Sequence, residues 1–338
     1  MLKFSNKETD NQSILYPYLE KHLYVHLIKV IPQWLPANYI TFISALAVFI
    51  SFVTASLFGS SHIIAYFAVP TLMLVYLVSD DLDGIQARKT NTSSPLGEYL
   101  DHFLDVFNIG LCQVALLMML GIYTGWITAM FLFAAYLVIS ATFFLQAKTD
   151  ELVLEKIGIF ESLLLGFFIM ILARIEVVSV FYNLPILGGS LTVIEGFILF
   201  VWGGVLGYYF LKKVIVGWRH MTLLFGLFTA GNFLIFLVSL QLLSQTMVTA
   251  AMLLYNGNYI GKIISARVTR CTDEIFPPII MPAFFISFSF LDNNLFITYL
   301  PLVLLIQGAT IAFVFVRTIF NLRHHWNWVN PKVGVKIR

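Results

Sequence analysis

The chain has 338 residues, of which 59% are apolar and only 11% are charged, and its formal net charge is +2. Soluble domains carry roughly 25% charged residues, so this composition excludes an ordinary soluble protein and predicts a polytopic membrane protein. The small net charge, with no basic cluster interleaved with aromatic residues, gives no reason to expect nucleic acid as a partner.

The first element in the chain covers residues 13–35 and mixes Leu, Ile, Tyr and Trp with Lys, His and Glu. This mixture predicts an amphipathic helix that lies in the membrane interface, with an ordinary solvated helix as the alternative. No apolar run precedes Asn38, so we expect no cleavable signal peptide.

Ten apolar segments follow, and about 20 apolar residues suffice to cross the hydrocarbon core of a bilayer. We therefore expect an all-α polytopic membrane protein with about ten transmembrane helices after the interfacial helix. The predicted helices are 38–59, 63–88, 97–121, 125–147, 152–174, 191–212, 220–242, 246–268, 276–291 and 296–317.

The distribution of Lys and Arg predicts the orientation, because cytoplasmic loops carry an excess of these residues. Ten spans place both termini on one side, and of the 20 Lys and Arg only Arg174 then lies on the opposite side. Both termini and the stretch 79–105 are therefore expected on the cytoplasmic face. The basic residues on that side are Lys148, Lys156, Lys212, Lys213, Arg219, Arg267, Arg270 and those of the tail 323–338.

The stretch 79–105 holds six of the 18 acidic residues, between two apolar segments. At 100° per residue, one face at the end of the second helix carries Asp80, Asp83, Gly84 and Ala87, with Arg88 close by. After the turn, Ser94 is predicted to cap the third helix and Pro95 to be its first residue.

The third helix carries a second polar face, formed by Glu98, Asp101, His102 and Asp105 at i+3 and i+4 spacing. A short loop makes the two helices antiparallel, so four aspartates could converge. Charged groups at membrane depth are expensive, and carboxylate oxygens suit Mg²⁺, Mn²⁺ or Ca²⁺. Two such cations form a clamp for a diphosphate. The alternative is that these acids are the solvated ends of two helices.

The full pattern resembles the signature of the CDP-alcohol phosphotransferase superfamily: Asp80-x-x-Asp83-Gly84-x-x-Ala87-Arg88, eight residues, then Gly97-x-x-x-Asp101-x-x-x-Asp105. Three further segments are similar to the choline/ethanolamine phosphotransferase branch, namely LPANYIT (35–41), SSPLGE (93–98) and DH (101–102). The interfacial helix and the count of ten spans also match that branch.

This resemblance implies a role for each matching residue. Asp80, Asp83, Asp101 and Asp105 would hold two divalent cations, Mg²⁺ or Mn²⁺. Glu98 and His102 would act as the base pair, with Glu98 holding the imidazole. The nucleotide and phosphate would contact Gly84, Ala87, Arg88 and Gly97, and Asn38 either borders the substrate or caps the first helix.

The implied reaction transfers phosphocholine or phosphoethanolamine from CDP-choline or CDP-ethanolamine to a lipid hydroxyl, most simply diacylglycerol, with release of CMP. The resemblance divides the chain into a cytoplasmic tail with the interfacial helix (1–36), catalytic helices (37–215), additional C-terminal helices (216–320) and a basic cytoplasmic tail (321–338). The membrane would be endoplasmic reticulum or Golgi in a eukaryote and the inner membrane in a bacterium, and a homodimer is left open.

Several alternatives stay open. Asp105 could be the base, with His102 as a partner of the aspartates. The same site could use ceramide as acceptor, or CDP-diacylglycerol with inositol or glycerol phosphate. A cation transporter is the alternative of another class. Asp81 points off the metal face and is expected to be solvated, whereas Glu161 could contact the cationic head group or form a hydrogen bond within the bundle.

Two cysteines, Cys112 and Cys271, fit no metal-binding spacing and are expected to pack as small apolar residues.

Overall fold

The computed structural model describes residues 10–11, 13–154, 156–157, 159–217, 223–270, 276–287 and 292–323, and within them the chain is almost entirely helical. Helix α1 combines Tyr16–Leu19, the π-helical turn Glu20–Tyr24 and Val25–Val30. Helix α8 combines Val193–Phe197, the π-helical turn Ile198–Trp202 and Gly203–Val216. The others are α2 (Ala37–Phe58), α3 (Ile63–Lys89), α4 (Pro95–Met119), α5 (Gly125–Thr149), α6 (Ile159–Leu172), α7 (Glu176–Tyr182), α9 (Leu223–Ser239), α10 (Gln245–Thr269), α11 (Ile280–Ser287) and α12 (Asn293–Leu322).

Two small strand pairs complete the described secondary structure. Strand β1 (Asp10–Asn11) pairs in parallel with β2 (Val153–Leu154), which ties the N-terminal segment to the loop after α5. Strands β3 (Pro185–Ile186) and β4 (Leu191–Thr192) form an antiparallel pair between α7 and α8.

Each of the ten predicted segments contains a helix, but fewer helices qualify as membrane spans. Six described helices are long and apolar enough to cross a membrane, and a seventh span results if α6 and α7, bent by 111°, are counted together. The chain is thus a multi-pass helical protein, and the count of ten spans stays a prediction. The six are Ala37–Phe58, Ile63–Lys89, Pro95–Met119, Gly125–Thr149, Val193–Ile215 and Asn293–Leu322.

Two predicted helices have different bounds in the structure. Residues 152–174 do not form one straight helix, because β2 takes up the start of this segment and the chain bends between α6 and α7. Arg174 lies in the bend, with its guanidinium 5.1 Å from the centre of the Tyr66 ring. The predicted helix 276–291 begins later than expected, since α11 starts at Ile280, after Pro277 and Pro278, which cannot donate backbone hydrogen bonds; residues 288–291 lie outside the described residues.

The turn between α3 and α4 has the predicted chemistry. Ser94 caps α4, its Oγ accepting a hydrogen bond from the Gly97 N–H at 3.1 Å, and Pro95 is the first helical residue. Asn91 lies in the left-handed region with φ of 53°, which allows a tight reversal. The acidic ends of both helices are therefore neighbours.

Helix α4 is the most enclosed of the candidate spans, and α10 packs closely against it. A Cβ atom added at Gly257 would lie 2.4 Å from Cζ of Phe107, and one at Gly261 would lie 2.7 Å from Cε2 of Phe103. Only glycine permits this approach. Cys112, also on α4, is buried with a free thiol as expected, whereas Cys271 lies outside the described residues.

Candidate functional site

Three of the four predicted metal-binding aspartates converge between α3 and α4. Asp80, Asp101 and Asp105 each present a carboxylate oxygen, and these oxygens lie within 4.8 Å of one another. Asp83 is not one of the three, and its Oδ2 accepts a hydrogen bond from the Thr41 hydroxyl of α2 at 2.5 Å. The structure thus brings carboxylates of both helices to one place.

The oxygens of this cluster fit a divalent cation. Oδ1 of Asp80 and Oδ1 of Asp101 are buried and accept no hydrogen bond from the described residues. Buried carboxylate oxygens are normally paired with donors or cations, because removing them from water is costly. A set of hard oxygen ligands favours Mg²⁺, Mn²⁺ or Ca²⁺ over softer metals.

Two hydroxyl groups that we did not predict orient the carboxylates. Tyr76 donates to Oδ1 of Asp105 at 3.1 Å, and Thr41 donates to Asp83. Tyr76 lies one helical turn before Asp80, so its spacing could have placed it on the acidic face. Thr41 comes from another helix, and no local pattern links it to Asp83.

His102 and Glu98 are not hydrogen-bonded to each other in the way we expected. Nδ1 of His102 is buried without a hydrogen-bond partner among the described residues, and the ring centre lies 5.1 Å from that of Phe143. The Glu98 carboxylate instead forms an ion pair with Arg267 of α10. The proposed catalytic roles of both residues stay predictions, but the partner of Glu98 in this structure is an arginine.

The residues predicted to border the nucleotide lie around the turn between α3 and α4. An added Cβ at Gly84 would meet only Nη1 of Arg88, at 3.5 Å, so space is open there. A Cβ at Gly97 would lie 3.3 Å from Oδ1 of Asn38, which brings these two residues together. Ala87 is half-buried and Arg88 is exposed.

Asn38 does not cap the first long helix. The residue that caps α2 is Pro36, which has no side-chain donor or acceptor, and Asn38 is already inside the helix. Its side-chain Oδ1 instead lies beside Gly97 of α4. Of the two alternatives for Asn38, the capping role is wrong.

Asp81 is half-buried and hydrogen-bonded within the protein, whereas we expected it to be simply solvated. Its Oδ2 accepts a hydrogen bond from the hydroxyl of Tyr24, a buried residue of α1. Burial and the neighbouring Asp81 charge raise the pKa of Tyr24, so its hydroxyl stays protonated and donates. Helical angle alone had placed Asp81 off the acidic face, but α1 covers the surface to which it points.

Further contacts hold α1 and the following loop against α3. Gln86 donates from Nε2 to the carbonyls of Pro32 and Leu35, both at 2.9 Å, and Lys89 donates to the carbonyl of Ile28 at 2.6 Å. The predicted N-terminal segment thus contains a helix that packs on protein, and its position relative to a membrane interface stays a prediction.

Glu161 holds the segment before α1. Its Oε1 accepts hydrogen bonds from the Ser13 hydroxyl at 2.5 Å and from the Leu15 N–H at 3.2 Å. We expected either contact with the head group or a hydrogen bond within the bundle, and the structure shows hydrogen bonds to the segment before α1.

Comparison with known proteins agrees with the site. The family described as CDP-alcohol phosphatidyltransferase matches residues 34–208, slightly more than half of the chain. The matched region contains every predicted metal ligand, Thr41 and Tyr76, but not Arg267.

Three curated relatives illustrate the similarity. The chain is 36% identical over 104 residues to choline/ethanolaminephosphotransferase 1 of Arabidopsis thaliana, covering 28% of this chain and 26% of the relative. It is 31% identical over 153 residues to ethanolaminephosphotransferase 1 of Homo sapiens, covering 42% of this chain and 37% of the relative. It is 28% identical over 112 residues to choline/ethanolaminephosphotransferase 1 of Saccharomyces cerevisiae, covering 32% of this chain and 29% of the relative.

The matches to these relatives therefore span about a quarter to three eighths of their length. The signature residues, the helix pair α3 and α4, and the carboxylate cluster nevertheless all lie inside the region that the family profile covers. The match of more than half of the chain shows that this protein belongs to the CDP-alcohol phosphatidyltransferase family.

Proposed function

We propose that this multi-pass membrane transferase moves phosphocholine or phosphoethanolamine from a CDP-alcohol to a lipid hydroxyl, most simply that of diacylglycerol, and releases CMP. The observation that carries the proposal is the carboxylate cluster of Asp80, Asp101 and Asp105, with two buried oxygens that lack hydrogen-bond partners. The names of the relatives support choline and ethanolamine as the head groups.

In this proposal the four signature aspartates, Asp80, Asp83, Asp101 and Asp105, hold two divalent cations, Mg²⁺ or Mn²⁺. When bound, such cations neutralise the oxygens of the diphosphate and stabilise the negative charge on the departing CMP. The role of the protein is to keep the carboxylates aligned. Tyr76 restrains Asp105 and Thr41 restrains Asp83 for that purpose.

His102 is the proposed base. The lipid hydroxyl loses its proton to the imidazole as its oxygen bonds to the β-phosphorus, and the bond between that phosphorus and the CMP oxygen breaks. A neutral imidazole accepts a proton readily near neutral pH, and Nδ1 of His102 has no hydrogen-bond partner among the described residues. Asp105 is the alternative base, but its carboxylate already accepts a hydrogen bond from Tyr76.

The turn between α3 and α4 is the proposed place of the CDP moiety. Gly84, Ala87 and Gly97 would leave room for the cytidine, Asn38 would lie at its border, and the exposed Arg88 would pair with a phosphate. The lipid acceptor would approach from the bilayer.

Both termini and the site are proposed to face the cytoplasm. The membrane would be endoplasmic reticulum or Golgi in a eukaryote and the inner membrane in a bacterium. A homodimer is compatible with this arrangement.

CMP release by purified protein in detergent, with Mg²⁺ or Mn²⁺, tests the proposal. We expect CMP from CDP-choline or CDP-ethanolamine with diacylglycerol, and none from the Asp101→Asn variant. CMP formation only with ceramide, or only from CDP-diacylglycerol with inositol or glycerol phosphate, would assign the same site to other substrates. Absence of CMP from every pair, with cation flux into proteoliposomes, would favour a transporter.

A further inference from the structure

A single arginine of α10 reaches the part of α4 that carries the proposed site. The Arg267 guanidinium forms an ion pair with the Glu98 carboxylate, and the two side chains are only 15% and 19% exposed. Glu98 lies in the first turn of α4, one turn before His102 and three residues before Asp101. The ion pair therefore lies at the end of α4 that carries Asp101 and His102.

The ion pair is the last of three successive contacts between the two helices. Gly257 packs on Phe107, and Gly261 packs on Phe103, each within a distance that excludes a larger side chain. Residue numbers therefore increase along α10 as they decrease along α4, so the two helices are antiparallel. The next contact in this register is the ion pair between Arg267 and Glu98. Because this packing sets the register of the two backbones, Arg267 lies opposite Glu98 whether or not the ion pair forms.

A second ion pair lies beside the first and involves a different arginine. Asp150 ends α5, and both of its oxygens accept hydrogen bonds from Nη1 of Arg270 at 2.9 Å. Arg267 Nε is 3.8 Å from Asp150 Oδ1, beyond hydrogen-bond distance. Arg270 and Asp150 thus form their own pair, and the close partner of Arg267 is Glu98.

We infer that Arg267 is a positioning residue for the transfer reaction and that it acts through Glu98. By holding that carboxylate, it fixes the first turn of α4, and with it His102 and Asp101, relative to the rest of the site. The planar guanidinium suits this role better than an ammonium group, because it can bond a carboxylate along two parallel directions. This inference rests on the proposed function, and Arg267 itself lies outside the region matched by the family profile.

A double-mutant cycle on CMP release tests the inference. Arg267→Ala should lower kcat by about 10- to 100-fold, the range typical of residues that orient groups of a metal site. The same substitution should change kcat by less than about twofold when Glu98→Ala is already present, because two residues that act as one unit are not additive. KM for the CDP-alcohol should stay unchanged, and Arg267→Lys should retain part of the activity.

Arg270→Ala is the matched control, since it removes a guanidinium from the same helix end and an ion pair that is more exposed. We expect it to change kcat by less than about twofold. Melting temperatures in detergent should be recorded for every variant, and if Arg267→Ala does not give folded protein, Arg267→Lys and Glu98→Gln complete the cycle.

Equal losses from Arg267→Ala in both backgrounds would overturn the inference, and so would a rise in KM alone, which would indicate direct contact with the substrate. Full activity of Arg267→Ala would overturn it as well. Absence of CMP release from the unmodified protein would instead refute the proposed function, so the two failures are distinguishable.

Discussion

The hydroxyl of Tyr76 donates a hydrogen bond to Oδ1 of Asp105 across 3.1 Å and so connects α3 to α4 inside the bundle. Tyr76 is fully buried and lies one turn before Asp80 on the same helix. One residue of α3 therefore orients a carboxylate of α4, next to an aspartate of its own helix. The way in which α3 packs against α4 therefore determines the geometry of the carboxylate cluster.

Tyr76→Phe should weaken the apparent affinity for Mn²⁺ by about 10- to 100-fold, because Asp105 loses the partner that orients it. CMP release measured against free Mn²⁺ concentration gives this affinity. Tyr136→Phe is the matched control, since it also removes a buried hydroxyl that bonds to α4, but to the backbone carbonyl of Val106 at 2.9 Å. Equal Mn²⁺ dependence in both variants would contradict the role of Tyr76.

Local patterns in the sequence predicted the parts of the site that depend on a single helix or turn. Helical spacing placed Asp80, Asp101 and Asp105 so that they could converge, and the cap at Ser94 follows from its place before Pro95. These features depend on helix geometry and on the preferences of individual residues.

Partners from distant segments could not be predicted in the same way. Glu98 was expected to bond His102, its neighbour on α4, but it pairs with Arg267 from α10. Asp81 was expected in solvent, but α1 places Tyr24 over it. Both outcomes depend on which helices pack together, and helical angle within one segment contains no information on that packing.

Asp101→Asn should reduce Mn²⁺-dependent CMP release by more than about 100-fold, since even a residue that only orients a ligand is worth about 10- to 100-fold. Asp81→Asn is the control, because it alters a neighbouring acid whose partner is Tyr24 rather than the cluster. Mn²⁺ binding to both variants should be measured by titration calorimetry. Unchanged Mn²⁺ binding by Asp101→Asn would remove this residue from the metal site.

Gly261→Ala should destabilise the protein by about 1–3 kcal/mol, because the new Cβ would lie 2.7 Å from Cε2 of Phe103 and force the helices apart. The melting temperature in detergent measures this effect. Gly226→Ala is the control, since its added Cβ meets no atom within 4 Å. There the better helix propensity of alanine should be neutral or stabilising by up to about 1 kcal/mol. Equal melting temperatures would mean that α4 and α10 separate easily.

Tyr24→Phe should loosen α1 from α3, because it leaves the Asp81 carboxylate without this hydroxyl partner at a cost of about 1–3 kcal/mol. Hydrogen exchange across residues 16–30 should then become faster. Tyr18→Phe is the control, because Tyr18 lies on the same helix but is 63% exposed. Equally fast exchange in both variants would show that the buried hydrogen bond does not hold α1 in place.

His102→Gln separates proton transfer from metal binding. If His102 is the base, kcat should fall by about 100- to 10,000-fold, the range that general-base catalysis supplies. The apparent affinity for Mn²⁺ should hardly change, because the three oxygens of the cluster belong to Asp80, Asp101 and Asp105. Asp105→Asn should by contrast lower both quantities, because it removes a cluster oxygen. Measurements of kcat and of Mn²⁺ affinity on both variants therefore distinguish the candidate bases. Full activity of His102→Gln would mean that Asp105 accepts the proton of the lipid hydroxyl. The Asp105 carboxylate would then have to exchange its hydrogen bond to Tyr76 for one to that hydroxyl.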